Sequence, residues 1–142
     1  MKIHIGEAVT ALGIENFVLD GEPTNETEFN SSFKKIVGAK GDEAVMSSDP
    51  STFGVTWSQV KTKYDELVSL EPYKLLREER NKLIAETDWT QLKDISLDSI
   101  REKNWKEYRQ ALRDLPNGST PKLDSYGDLD MTSVSWPDKP ST

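Results

Sequence analysis

Twenty-five carboxylates, one histidine and no cysteine limit the chemistry open to this chain of 142 residues. Without cysteine there is no thiolate nucleophile, disulfide, iron–sulfur cluster or thiolate zinc site. His4 stands alone near the amino terminus, so neither a multi-histidine metal site nor a triad that needs a second histidine can form. Two acids on opposite walls of a cleft, within about 10 Å, would suffice for glycoside hydrolysis. Most Asp and Glu here alternate with Lys or Arg at helical spacing, however, which is the pattern of a solvated helix face. "DSYGDLD", from Asp124 to Asp130, has acidic spacing faintly like a calcium loop but lacks the glycine at its sixth position and the closing glutamate. Phosphate loops, dinucleotide fingerprints, nucleophile elbows and H-E-x-x-H are absent as well. No catalytic, cofactor-binding or metal-binding residue is assigned, and the chain is read as a non-enzyme.

The four tryptophans are the other chemical signal. Trp57 and Trp105 fall on helical stripes, Trp105 beside Tyr108, and both read as core. Trp89 and Trp136 stand in loop-like surroundings, where an aromatic either plugs its own fold or anchors an interface. Stacking of those two rings on host surface sugars is an alternative function.

Several elements must position these residues. Ile5, Ala8, Val9 and Leu12 recur at helical spacing before Gly13, which predicts a short first helix. "NFVLDGEP" reads as a brief strand or extended link. Asn25 and Glu28 have capping-box spacing, and Phe29, Phe33 and Val37 share a face, which predicts a second helix over about 25–37. "GAKGDEAVMSSDPSTFG" reads as a long loop with room for a short hairpin, and it is the best domain boundary. Thr56 and Gln59 repeat the capping box ahead of Trp57, Val60, Tyr64, Leu67 and Val68. Pro72 fits either the first turn of a new helix or a kink in one long helix. A last helix carries Leu97, Ile100, Trp105, Tyr108, Leu112 and Leu115 on one stripe and is expected to end at Pro116. The short link between the two long helices predicts an antiparallel helical hairpin with Trp89 at its corner.

The expected fold is mainly α. A small amino-terminal helical region with minor short strands (1–55) precedes the long antiparallel helical hairpin (56–116) and an extended, proline-containing tail (117–142). The formal charge of −7 opposes general affinity for nucleic acid or anionic membranes. No apolar run reaches the length of a signal peptide core or of a membrane span, so the expected place of action is the cytoplasm or a particle assembled there.

The stretch "LLREERNKLIAETDWTQLKDISLDSIREKNWKEYRQALRDLP", residues 75 to 116, resembles the phage tail assembly chaperone family of tail fibre assembly proteins. The resemblance rests on Arg80, on Leu83 through Leu92, on Trp105 through Pro116, and on Trp136-Pro137. The earlier pieces "GEPTNETEFN" and "TFGVTWSQVKTKYDEL" look like the leading segments of small tail-module proteins of marine and cyanobacterial phages. What this implies is a protein that binds tail fibre or baseplate polypeptides in the host cytoplasm during assembly, as an assembly factor or as a small structural component of the virion tail. It uses no cofactor, and a homo-oligomer stays open. The residues expected to bind a partner or anchor the hairpin are Trp89, Trp105, Tyr108, Arg109, Leu112, Trp136 and Pro137.

Overall fold

A computed structural model describes residues 2–141. Among the described residues the α-helices are α1 (Ile5–Ala11), α2 (Glu26–Ser32), α3 (Trp57–Ala85) and α4 (Ser99–Gly118). The strands β1 (Phe17–Leu19), β2 (Phe33–Lys40) and β3 (Glu43–Ser47) form one antiparallel sheet in the order β1-β2-β3. None of the helices is long and apolar enough to cross a membrane. The chain divides into two compact units, one of Lys2–Ser69 and one from Leu70 onward.

In the first unit, Glu22 fixes the start of α1 by accepting from the Ile5 amide at 3.0 Å. The predicted cap of α2 forms at Asn25, whose Oδ1 accepts from Glu28 N at 2.8 Å; the return bond of Glu28 goes not to the Asn25 amide but to the Thr24 amide, at 2.7 Å. That bond to the Thr24 backbone, then the one from its hydroxyl, hold the Glu28 carboxyl below its ordinary value. The helix expected over 25–37 stops at Ser32, and Phe33 is already extended. The Ser31 and Ser32 hydroxyls both donate to Glu28 O, which weakens the next helical turn, and the β-branched Ile36 and Val37 favour a strand beyond it. Phe29 and Phe33 still meet in the core at 5.1 Å between ring centroids, and Phe33 also meets Phe53 at 4.6 Å and Phe17 at 5.3 Å. Ile5, Ala8, Val9, Val55 and Val60 complete this core. The sheet is therefore more than minor strands. The predicted hairpin turns on Gly41-Asp42 between Lys40 and Glu43, with Gly41 at φ +66°, a conformation that a tight hairpin asks of glycine.

The long antiparallel helical hairpin is not present. The helices α3 and α4 make no extended approach to one another, because the apolar residues of α3 do not form one stripe facing α4. Val60, Trp57, Tyr64 and Leu67 of α3 serve the amino-terminal core, whereas Leu83 and Ile84 serve a separate cluster around Trp105. Pro72 is buried inside α3, which runs on without starting a new helix. Likewise α4 continues through Pro116 to Gly118. Pro116 gives up the amide bond that would have gone to the Leu112 carbonyl, and at the helix end Ser119 Oγ donates to the Leu115 carbonyl at 2.6 Å.

The segment after α4 is not simply extended. Leu123 and Leu129 form an isolated antiparallel bridge, and Asp124 Oδ1 accepts from Tyr126 N at 2.8 Å and Asp128 N at 3.0 Å. A 3₁₀ turn follows at Met131–Ser133, capped by Asp130. The Thr132 hydroxyl, then the Thr132 amide, hold the Asp130 carboxyl below its ordinary value.

Candidate functional site

In the carboxyl-terminal unit, Asp98 starts α4 by accepting from Arg101 N at 2.8 Å. From that start, Trp105, Tyr108 and Leu112 recur at i, i+3 and i+7 and are all buried. Leu83 and Ile84 from the end of α3, together with Trp89 and Leu97 from the link, pack against them. Trp89 meets Trp105 edge-on at 5.3 Å and 74°, and Trp105 meets Tyr108 at 6.0 Å and 78°, geometries that set the positive edge of one ring against the face of the next. Burial pushes the Tyr108 phenol above its usual range, and the nearby Glu86 carboxylate adds to the shift. Trp105 Nε1 is buried with no hydrogen-bond partner among the described residues, and nothing in the structure explains it.

Arg109 lies on the same helix and does a different job. Its Nη1 donates to Thr87 Oγ1 at 2.6 Å and Asp88 Oδ1 at 2.9 Å, with a longer bond to the Ile84 carbonyl at 3.4 Å. Thr87 is buried, and its hydroxyl and amide both donate to Ile84 O, at 2.7 and 2.9 Å. The carbonyls of a last helical turn have no partner within the helix and carry partial negative charge, so a cation and two donors placed there stabilise that end. Thr87 O in turn accepts from the amide and hydroxyl of Thr90, which begins the 3₁₀ turn Asp88–Gln91 that carries Trp89. Arg80 donates to the Arg113 carbonyl at 3.2 Å. Together these bonds fix how the chain leaves α3, and they place Trp89 over Trp105.

Of the sequence-predicted residues, Trp89, Trp105, Tyr108, Arg109 and Leu112 come together at this corner. Trp136 and Pro137 are half-buried farther along the chain. Trp136 Nε1 donates to Met131 O at 3.1 Å, which closes the 3₁₀ turn, and Pro137 lines a shallow groove with Tyr108 and Ala111. Thr87 and Asp88 are the residues that sequence reasoning passed over. Their signal was adjacency to Trp89 in the T-D-W run. Beyond the corner, Leu92, Ile95 and Ile100 expose 60%, 37% and 71% of their surface within one short stretch of sequence.

Residues 73–141 match the family model described as phage tail assembly chaperone protein, in agreement with the resemblance carried by residues 75–116 and Trp136-Pro137. No curated protein and no solved structure matches the chain.

Proposed function

We propose that this chain, whose residues 73–141 carry the match to the phage tail assembly chaperone family, is a non-enzymatic tail protein that binds tail fibre or baseplate polypeptides while they assemble in the host cytoplasm. The family match is the observation that carries the reading. The corner supports it in kind. Arg109 and Thr87 spend their polar groups on the end of α3, and the buried rings pack on one another, which fixes the start of the stretch that follows. Leu92, Ile95 and Ile100 supply exposed apolar surface in the stretch that follows, and such surface is what an assembly factor lends to a partner. Trp89, Trp105, Tyr108, Arg109 and Leu112 hold that stretch in place, and Trp136 and Pro137 finish the same unit.

Co-expression with each tail fibre and baseplate polypeptide of the same phage, followed by affinity capture, tests the reading. A stable complex is expected, weakened by Leu92→Asp and Ile100→Asp with the fold unchanged. Failure to capture any tail polypeptide would sink it. Mass spectrometry of purified virions separates a transient assembly factor, absent from the particle, from a structural component retained in it.

A further inference from the structure

Among the described residues β3 pairs on one side alone, with β2, and Glu43 through Met46 are exposed. The strand β1 pairs with β2 only at Phe33, Lys34 and Lys35, so beyond Ile36, whose amide still donates to the Asn16 carbonyl, the hairpin continues as a two-stranded ribbon. Such a ribbon is marginal by itself in water. This one nonetheless holds Val37, Val45 and Met46 at 53%, 42% and 49% exposure.

Its two edges differ. The β2 edge carries Lys40 and the register irregularity between Ile36 and Gly38, both of which discourage the addition of a strand. Between Glu43 and Ser47, β3 has no lysine, proline or bulge, and its one charge is at its first residue. In an antiparallel ladder every second residue of an edge strand turns its N–H and C=O outward. Lys40 and Glu43 close the two-residue turn as a mutually bonded pair, so the outward-facing residues are Ala44 and Met46.

We infer that β3 pairs with β3 of a second copy of this chain, antiparallel about a two-fold axis at Val45, joining two three-stranded sheets edge to edge. In that register Ala44 stands opposite Met46 of the second copy, and Met46 opposite its Ala44, so the outward donors and acceptors satisfy one another reciprocally. The exposed valine at the axis meets its own copy, as an isologous interface requires. The charges also fit. Glu43 stands opposite Ser47 of the second copy, and the row across the joined sheet reads Lys40, Glu43, then Ser47 and Lys35 of the second copy, by the pairing each chain already has. Lys40 flanks the carboxylate within its own chain, a small serine stands opposite it, and Lys35 of the second copy lies one strand further, its Nζ held by its own chain's Glu15 carbonyl. A parallel pairing in register would instead set Glu43 against Glu43, and like charges directly opposite are unfavourable. This inference does not depend on the tail-assembly reading: self-pairing and capture of a tail polypeptide are separate measurements.

Light scattering on the full chain across a concentration series is the test, joined to hydrogen exchange of the Ala44 and Met46 amides. The mass is expected to rise from 16.1 kDa toward twice that value as concentration increases, and both amides to gain protection over the same range. Ala44→Pro removes one outward donor, and Met46→Lys adds the edge charge that β3 lacks. Each should weaken pairing at least tenfold, with far-ultraviolet circular dichroism unchanged. Met46→Lys keeps every backbone bond within the chain, so it reads the pairing even where Ala44→Pro disturbs the ribbon. Ile100→Asp, on α4, should leave the mass curve as it is. A wild-type chain that stays at 16.1 kDa throughout overturns the inference, as does a dimer indifferent to both β3 variants or one lost with Ile100→Asp. Protection of those amides only when a tail polypeptide is added would overturn it in favour of a foreign strand at the same edge.

Discussion

The two units are held together by different means. From Lys2 to Ser69 the core is a set of phenylalanine rings, Phe17, Phe29, Phe33 and Phe53, with Trp57 and the aliphatic residues of α1 and α3 around them. From Leu70 onward three side chains of α4 are buried together, Leu76 and Val134 are buried as well, and Arg109, Thr87 and the short capped turns of the tail add polar ties. Apolar packing tolerates a range of pairings but loses several kcal/mol when a large ring is removed. A polar corner holds less energy per contact yet is geometrically demanding, since each donor left without its acceptor costs about 1–3 kcal/mol.

The largest effects should come from the two cores. Phe33→Ala and Trp105→Ala should each cost about 3–5 kcal/mol in urea unfolding. If the units melt separately, Phe33→Ala moves one transition and Trp105→Ala the other; a single transition moved equally by both would mean that the two cores fold as one. Next in size is Arg109→Met, which keeps an apolar stem and removes the bonds to Thr87, Asp88 and Ile84. A loss of about 1.5–3 kcal/mol is expected for charged hydrogen bonds of this kind, and unchanged stability would show that the corner is held by its rings alone.

Trp89→Ala should cost about 0.5–1.5 kcal/mol beyond the area it buries, from the lost edge-to-face pair with Trp105. Should stability hold while capture of a tail polypeptide disappears, Trp89 is a partner contact first and a folding element second. Smaller again is the alkaline limb. Because the Tyr108 phenol is raised in the folded chain, its contribution is present below the ordinary value of 10.0 and is lost as pH rises from there through the folded value. Tyr108→Phe should flatten stability over that alkaline range.

The smallest effect lies at Asp130. Its carboxyl is lowered on folding, so its contribution is present above the ordinary 3.8 and fades as pH falls through the folded value. Thr132→Val should return the carboxyl toward 3.8, read by nuclear magnetic resonance titration, with little change in melting.

Legibility followed the range of the interactions. The caps at Asn25 and Thr56 read correctly, because a side chain and an amide three residues away decide them. Of the expected stripe, Trp105, Tyr108 and Leu112 are buried for the same reason, since periodicity along a single helix is local, whereas Ile100, placed on that stripe, stands 71% exposed at the start of α4. Phe29 and Phe33 were correctly sent to one core, but their spacing was taken for a continuing helix; a strand start can bring both rings to the same place. At the candidate site the sequence marked Trp89 and Arg109 without the Thr87 hydroxyl that joins Arg109 to the end of α3.

Composition and short-range pattern thus ruled out thiolate and multi-histidine sites and determined the position of α4 with its buried face, the helix starts, and the motif that matches the tail assembly chaperone family. Tertiary structure alone decided that α2 gives way to β2 at Phe33, that α3 runs through Pro72, and that α3 and α4 form no long hairpin. Those outcomes depend on which distant surfaces claim each apolar residue. Val60 and Leu83 lie on one helix at ordinary helical positions, and nothing in their spacing says that they belong to different cores.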